Sequence, residues 1–259
     1  MLRWPIALAA AAALSSPIAP AQQRALPLDA LRSGFEFAGA DVRAMQADDV
    51  ANPGFLWVER GEKSWRDAGG GKSCASCHGD AAASMRGVAV HYPAFDPTAG
   101  EIIDLEARIN ACRVRHQGAK PLERESDELL ALTAYVAYQS RGMPITANID
   151  GPGRATFERG RAFYTTRHGQ MNLSCAQCHE GNWGKRLYAE TISQGHGNAF
   201  PAYRLEWQTL GSLQRRIRAC LFGVRAEMPS PGAPELTDVE LYLAWRAQGL
   251  PLETPGVRR

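Results

Sequence analysis

Apolar residues recur at helical spacing in two stretches, one in each half of the chain. They cover residues 127–141 (DELLALTAYVAYQSR) and 237–248 (TDVELYLAWRAQ). Because apolar positions that return every three to four residues line one face of a helix, each stretch predicts a helix, and Gly142 and Gly249 mark its end. The polar residues of TDVE resemble a capping signal, so the second helix is predicted to begin there.

Two further helices are predicted to begin near Gly61 and near Gly160, each with an aromatic residue a few positions later. The segment 140–154 is rich in glycine and proline and is predicted to link two parts of the chain. These patterns predict a mainly α fold with an N-terminal domain over residues 22–150 and a C-terminal domain over residues 151–259.

The N-terminal segment MLRWPIALAAAAALSSPIAPAQQ has one arginine, an alanine-rich apolar run and the small-residue pattern APA. This order predicts a secretory signal peptide over residues 1–21, cleaved after Ala21. A membrane anchor is the weaker alternative, because the run from Trp4 to Leu14 is too short to span a bilayer. The mature protein is therefore expected in the periplasm, without a membrane span.

Composition excludes little, but it makes one class of partner improbable. The chain has 259 residues, of which 45% are hydrophobic and 22% charged, as in ordinary globular proteins. The net charge is only +2 and no long basic run is present, so no nucleic-acid partner is expected.

Six cysteines in an exported protein first suggest three disulfides. Their spacing indicates another role, because CASCH (residues 74–78) and CAQCH (residues 175–179) both match C-x-x-C-H, the pattern of c-type haem attachment. Two thiols at this spacing can bond to both vinyl groups of one haem, while the adjacent histidine reaches the iron. A pair of zinc sites would need more histidine or cysteine at suitable spacing. We therefore predict two covalently bound haem c groups, attached through Cys74, Cys77, Cys175 and Cys178, with His78 and His179 as iron ligands.

The chain also repeats itself. Residues 59–79 (ERGEKSW…SCASCHG) match residues 158–181 (ERGRAFY…SCAQCHEG), and YPAF at 92–95 matches a later FPAY. From these prolines both copies run without a gap to Cys112 and Cys220. This pattern predicts two tandem class-I cytochrome c-like domains, related by internal duplication, each with one haem motif and one later cysteine.

A haem iron held by histidine on one face usually takes a second ligand, which in single-haem cytochromes c is a methionine before the last helix. Met228 stands close to that position, but the first half has Lys120 at the matching place. Both halves share the cysteine, so Cys112 and Cys220 are favoured as second ligands, with Met228 as the alternative. A Cys112–Cys220 disulfide is not expected, because matched positions in two domains lie far apart.

Cys220 lies among four arginines in QRRIRACLFGVR, residues 214–225. If this segment is helical, Arg216 and Cys220 lie on one face. A guanidinium there favours the thiolate and can bind an oxyanion, which predicts a site for a small sulfur oxyanion beside a reactive sulfur. The alternatives are a solvated basic face or contacts with haem propionates, since Arg108 precedes Cys112 in the same way.

Both haem motifs are followed by R-I-x-A-C, and the second copy lies within RRIRACLFGVRAEMP. These motifs resemble the two-haem form of the SoxA family. Residues 52–65 (NPGFLWVERGEKSW) are also similar to the family's entry segment. The resemblance covers essentially the whole mature chain. It implies the catalytic subunit of the SoxAX cytochrome, an L-cysteine S-thiosulfotransferase. This enzyme oxidatively joins thiosulfate to a cysteine of the SoxYZ carrier protein. Two electrons then pass through the SoxX subunit to a soluble cytochrome c.

The resemblance also implies residue roles. Cys220 takes the place of the active-site cysteine, which the family carries as a persulfide and which binds the second haem opposite His179. Arg216 takes the place of the substrate-binding arginine. The ligands of the first haem are then His78 and Cys112.

Two other functions stay open from the residues alone. A diheme electron carrier without catalysis predicts Met228 as a ligand. A diheme peroxidase needs one haem with an open distal site, which two cysteines at matched positions disfavour. The histidines His91, His116 and His196 are expected to lie at the surface or against propionates.

Overall fold

The computed structural model describes residues 26–69 and 71–259. The predicted signal peptide, residues 1–21, therefore lies outside the described residues. Within the described ranges, no helix is both long enough and apolar enough to cross a membrane.

The described part of the chain is helix-rich with small sheets, in agreement with the predicted mainly α class. Its ten α-helices are α1 (Ala40–Ala47), α2 (Phe55–Arg66), α3 (Cys74–His78), α4 (Ala81–Ser84), α5 (Leu105–Cys112), α6 (Asp127–Tyr138), α7 (Gly153–Thr165), α8 (Cys175–His179), α9 (Leu213–Gly223) and α10 (Pro234–Arg246). Short 3-10 helices lie at Leu28–Ala30, Gly34–Phe37 and Ala89–His91, and a π-helical turn lies at Arg113–Gln117.

Three small sheets connect these helices. Their strands are β1 (Ala94–Asp96), β2 (Glu101–Ile103), β3 (Arg186–Leu187), β4 (Glu190–Thr191), β5 (Ala202–Arg204), β6 (Thr209–Gly211) and β7 (Gly256–Arg258). Strands β1 and β2 pair antiparallel, as do β3 and β4. In the third sheet the order is β6-β5-β7, with β7 parallel to β5.

Each half is built around one pair of packed helices, α2 with α6 and α7 with α10. Gly61 lies inside α2, where an added Cβ would stand 2.1 Å from the Ala131 carbonyl oxygen of α6. Gly160 lies inside α7, where an added Cβ would stand 2.0 Å from the Asp238 carbonyl oxygen of α10. The prediction that helices begin near these glycines is therefore wrong. Both helices begin at least six residues earlier, and each glycine lets two backbones touch.

The last helix, α10, also begins earlier than predicted. It starts at Pro234, whose fixed φ suits the first turn of a helix, so the polar segment TDVE lies inside it. Asp238 of that segment accepts two hydrogen bonds of 2.7 Å from the Arg159 guanidinium, which ties α10 to α7.

The predicted helix stops are confirmed, because Gly142 and Gly249 have positive φ angles of 80° and 97°.

Apolar packing joins the two halves as well as filling each of them. Leu210 of the second half is buried in the core around α2 and α6, and Ile102 of the first half packs against the core around α7 and α10. A third cluster includes Val90, Ile145 and Leu252. The predicted linker is therefore packed between the halves, where the Ile145 N–H donates to the Leu250 carbonyl at 2.9 Å.

The C-terminal strand β7 ties the N-terminal part of the chain to the second half. The Asn52 side chain donates to the Pro255 carbonyl at 2.8 Å, and the Val257 N–H donates to the Gln46 side chain at 2.9 Å. Strand β5 is consequently fixed in the middle of its sheet, with β6 on one side and β7 on the other.

Three carboxyl groups, those of Asp104, Glu106 and Glu240, are buried between α5, α9 and α10. Arg124 donates to Asp104 at 2.6 Å and to Glu106 at 3.1 Å, and Gln214 donates to Asp104 and Glu240 at 2.8 and 3.1 Å. Burial, together with repulsion by Asp104, raises the pKa of Glu106 to about 8. Burial also raises the pKa of Glu240 well above its ordinary value.

This cluster gives an expected pH dependence of stability. An unfolded glutamate has a pKa of roughly 4.3, and the folded pKa of Glu106 is about 8, so folding favours its protonated form. Stability is then fully present below the unfolded pKa and falls as the pH rises towards 8, by at most about 1.4 kcal/mol per pH unit for this group. Denaturant unfolding at pH 5, 7 and 9 should show a flatter profile for Glu106→Gln. Parallel stability–pH profiles for the wild-type and Glu106→Gln chains would contradict this role of Glu106.

Candidate functional site

The second C-x-x-C-H motif forms α8, a single helical turn. The Ser174 hydroxyl accepts from the Gln177 N–H at 3.2 Å, and the Gln177 side chain accepts from the Ser174 N–H at 2.8 Å. This capping box fixes the turn. Because residues three apart lie on one face of a helix, Cys175 and Cys178 point to one side, with His179 at the end.

His179 is oriented by the loop that precedes His196. Its Nδ1–H donates to the Ser193 carbonyl oxygen at 2.8 Å, which leaves Nε2 as the free nitrogen for a metal. Gly195 has a φ of 73°, and an added Cβ would stand 2.6 Å from the imidazole Cγ. Both the hydrogen bond and the close backbone approach therefore hold the ring in one position.

Gln194, which is fully buried, holds this loop to the N-terminal segment. Its side chain accepts from the Arg32 N–H at 2.8 Å and donates to the Ala30 carbonyl at 2.9 Å. Its carbonyl accepts from Arg246 at 3.0 Å. No sequence motif indicates this support, because Gln194 lies 162 and 164 positions from its two partners in the N-terminal segment.

Helix α9 carries Arg216 and Cys220, as predicted. The Ser212 hydroxyl caps the helix by accepting from the Arg215 N–H at 3.1 Å. The Cys220 thiol lies within hydrogen-bonding reach of the His179 ring. The structure thus brings together the cysteine and the histidine that the sequence analysis selected for the second site.

The charges around Cys220 favour its thiolate. Burial acts to raise the pKa of Cys220, but the positive charge of Arg216, the hydrogen bond with His179 and the charge of Arg204 lower it to about 7. The thiolate is the form of cysteine that binds metals and attacks electrophiles.

Arg204 is a site residue that the sequence analysis missed. It ends β5, its side chain is only 4% exposed, and its guanidinium packs 5.0 Å from the ring of Trp207. One nitrogen donates to Glu206 at 3.1 Å. The internal repeat contains the signal that could have found it, because Arg204 stands where the first half has Asp96.

The first C-x-x-C-H motif forms α3, another single turn. The Ser73 hydroxyl caps it by accepting from the Ser76 N–H at 3.0 Å. Cys112, at the end of α5, lies close enough to Cys74 for its charge to act on that thiol. Gln117 of the π-helical turn donates to the Cys74 sulfur at 3.5 Å. The motif's histidine, His78, lies 5.7 Å from the Trp65 ring, measured between centroids.

Arg108, the counterpart of Arg216, shares a carboxylate with Arg115. Its Nε donates to the Tyr92 hydroxyl at 3.1 Å, and its guanidinium lies 3.6 Å from Asp96, which also accepts from Arg115 at 2.7 Å. Burial opposes the Asp96 charge, but the hydrogen bond from Arg115 and the nearby cations hold the pKa of that carboxyl below its usual range. The cation near Cys112 is therefore paired with a carboxylate.

The other candidates lie elsewhere. Met228 follows α9 in a loop and is 41% exposed, and Arg218 donates to the neighbouring Pro229 carbonyl at 2.9 Å. His91 and His116 are exposed, as expected. The expectation of a surface position for His196 is wrong: this ring is buried and lies 3.1 Å from the Gln194 side chain, because the loop that supports His179 packs inward.

The donor set at both motifs fits covalently attached haem. The six cysteines form no disulfides with one another in the described residues. Beside the first cysteine of each motif lies a buried polar atom with no hydrogen-bond partner among the described residues, Arg113 Nε near Cys74 and Tyr164 Oη near Cys175. Such atoms fit a bound group that has both a broad apolar face and polar substituents.

A helical fold with C-x-x-C-H turns, one of them facing a cysteine thiol, defines the chain as a c-type cytochrome. Residues 60–145 match the family model "SoxA/TsdA, cytochrome c domain", which implies bound haem c. The chain belongs to the SoxA family.

Curated relatives and a solved structure support the assignment to the SoxA family. The L-cysteine S-thiosulfotransferase subunit SoxA of Pseudaminobacter salicylatoxidans is 44% identical over 236 residues, which cover 90% of this chain and 82% of the relative. The SoxA subunit of Rhodovulum sulfidophilum is 40% identical, over 89% of this chain and 81% of the relative. The crystal structure of SoxXA from P. pantotrophus matches with a TM-score of 0.84 at 37% identity, over 88% of this chain and 86% of that one.

Proposed function

We propose that this chain is the catalytic subunit of an L-cysteine S-thiosulfotransferase, which oxidatively joins thiosulfate to a cysteine of a SoxYZ-type carrier protein. The observation that carries the proposal is the position of Cys220 between His179 and two arginines, Arg216 and Arg204, which lower its pKa to about 7. This arrangement combines a thiolate, a histidine and an anion-binding charge in one place. The curated relatives bear the name of this activity.

Two haem c groups would be held by the two motifs, through Cys74 and Cys77 and through Cys175 and Cys178. Their iron ligands would be His78 with Cys112 and His179 with Cys220. When bound, haem supplies one-electron transfer. Supporting this pairing, each C-x-x-C-H turn lies near one later cysteine, and each half has the same glycine-mediated helix pair. These shared features also support tandem duplication of one cytochrome unit, with a boundary near residue 150.

The overall reaction joins the carrier thiol, R–SH, and thiosulfate, S2O3²⁻, to give R–S–S–SO3⁻, one proton and two electrons. A sulfur–sulfur bond forms and the S–H bond breaks, and a soluble cytochrome c takes the electrons one at a time. The Cys220 sulfur would bond to the sulfane sulfur of thiosulfate as two electrons leave. The carrier thiol would then take the S–SO3⁻ group, releasing its proton and returning the Cys220 thiolate, while Arg216 would hold the sulfonate end. His179, held by the Ser193 carbonyl, would bind the iron through Nε2.

The partners follow from the same assignment. A SoxX-type cytochrome subunit is the expected heterodimer partner, supported by the match to a SoxXA structure. Export to the periplasm through residues 1–21 fits covalent haem attachment, and the described residues contain no helix that could span a membrane.

Arg216→Gln tests the anion-binding role, with Arg108→Gln as its matched control in the first half. The assay is thiosulfate-dependent reduction of cytochrome c by the full haem-loaded chain with its SoxX-type subunit and the carrier protein. Because charge-assisted hydrogen bonds contribute about 1.5–3 kcal/mol, Arg216→Gln should raise the KM for thiosulfate about tenfold to a hundredfold.

Arg108→Gln should change the KM less than about threefold, because Arg108 lies at the first site and faces a carboxylate there. Equal effects of the two variants would contradict the assignment of substrate binding to the second half. If the haems of the wild-type complex exchange electrons normally but thiosulfate is not turned over, the result would indicate that the chain is an electron carrier instead.

A further inference from the structure

The two halves differ in charge at one matched position beside the later cysteine. Asp96 and Arg204 each stand three residues after the matched proline, Pro93 or Pro201, and each ends a strand, β1 or β5. In the first half this residue is an acid paired with Arg108. In the second half it is a cation near Arg216. One substitution thus replaces a carboxylate that Arg108 and Arg115 share with a second cation.

The carboxylates around Arg204 balance only part of this charge. Glu206 accepts one hydrogen bond at 3.1 Å but is 59% exposed, and Glu190 lies 3.8 Å away. The Nε of Arg204 is buried and has no hydrogen-bond partner among the described residues. Burial and the charge of Arg216 lower the pKa of Arg204, whereas the pKa of Arg108 is raised. The second half therefore keeps one buried donor without a partner among the described residues, close to a second cation.

The Arg204 guanidinium is also held in place before any ligand arrives. It packs 5.0 Å from the Trp207 ring, and Arg215 packs 4.4 Å from the same ring. Its strand is fixed between β6 and β7. A buried guanidinium with a fixed plane offers paired N–H donors in the geometry that oxyanions accept.

We propose that Arg204 and Arg216 together form the oxyanion site beside Cys220, with Arg204 as the buried residue that selects a dianionic sulfur oxyanion. The proposal rests on the function proposed above and deepens it. Two cations bind the two negative charges of thiosulfate more strongly than one, while a single-charged anion gains less from the second cation. Arg204 is thus a specificity residue for the sulfonate end of the substrate.

The probe that tests this site is sulfate, a dianion that cannot react. Sulfate binding to the haem-loaded complex is measured by calorimetry at constant ionic strength, beside the KM and kcat for thiosulfate. Arg204→Gln should weaken sulfate binding and raise the thiosulfate KM about tenfold to a hundredfold, with kcat changed less than about threefold. Arg215→Gln is the matched control, because it removes the other cation packed on Trp207, and it should change sulfate binding less than about twofold.

Unchanged sulfate binding in Arg204→Gln would overturn the proposal. A shifted low-spin signal of the second haem together with normal sulfate binding would also overturn it, because that result indicates that Arg204 contacts a haem propionate instead. Arg204-dependent sulfate binding in a complex without thiosulfate turnover would support the anion site and overturn the proposed function.

Arg204→Lys covers the case in which the glutamine variant fails to fold. It keeps the charge but loses the paired donors, so sulfate affinity should fall about threefold to tenfold. A folded lysine variant with unchanged sulfate affinity would overturn the role of Arg204 as a donor in this site.

Discussion

Replacement of Cys220 by alanine should abolish thiosulfate-dependent turnover, with a loss of at least about a thousandfold in kcat/KM. The thiol is the group on which the two arginines and His179 converge, and its lowered pKa, about 7, makes it the readily ionised sulfur of the second site. The measurement is reduction of cytochrome c by the haem-loaded complex with thiosulfate and the carrier protein.

Two further variants separate catalysis from haem binding. Cys220→Met keeps a sulfur that can ligate iron but cannot carry a persulfide, so it should be as inactive as the alanine variant. Cys112→Ala removes the matched sulfur of the first site, where Arg108 faces the Asp96 carboxylate, and should keep activity within about tenfold of wild type. Turnover that survives in Cys220→Met would show that the thiol is not the transferring group.

Gly160→Ala should destabilise the folded chain by about 3 kcal/mol or more. The new methyl group would stand 2.0 Å from the Asp238 carbonyl oxygen, a backbone atom, so α7 and α10 must move apart. That movement disturbs the core that contains Phe157 and Tyr242. Denaturant unfolding of the haem-loaded chain measures the loss in free energy.

Gly223→Ala is the matched control, because this glycine is also helical and an added Cβ meets no atom within 4 Å. Alanine is the better helix former, so this variant should be unchanged or up to about 1 kcal/mol more stable. Equal stability of the Gly160 and Gly223 variants would show that the close approach of α7 and α10 is not needed.

Sequence by itself determined the features that depend on neighbours within one helical turn. The two C-x-x-C-H motifs place their cysteines three residues apart, and each forms a single turn. Arg216 and Cys220, four residues apart, share one helix, and Gly142 and Gly249 stop the last helix of each half. Spacing within four residues sets which side chains share a helix face, so these features needed no knowledge of the fold.

Tertiary structure decided that Gly61 and Gly160 lie inside helices and which distant residues complete the site. The sequence pattern predicts helix starts near Gly61 and Gly160, but each glycine lies inside a helix, where a partner helix passes within contact distance. In the same way, Gln194 supports the histidine loop through residues about 160 positions earlier. The charge of Arg204 acts on Cys220 because the turn after β5 packs against α9, with Trp207 on Arg215. Such contacts depend on how separate elements pack together, and the spacing of residues along the chain does not encode that packing directly.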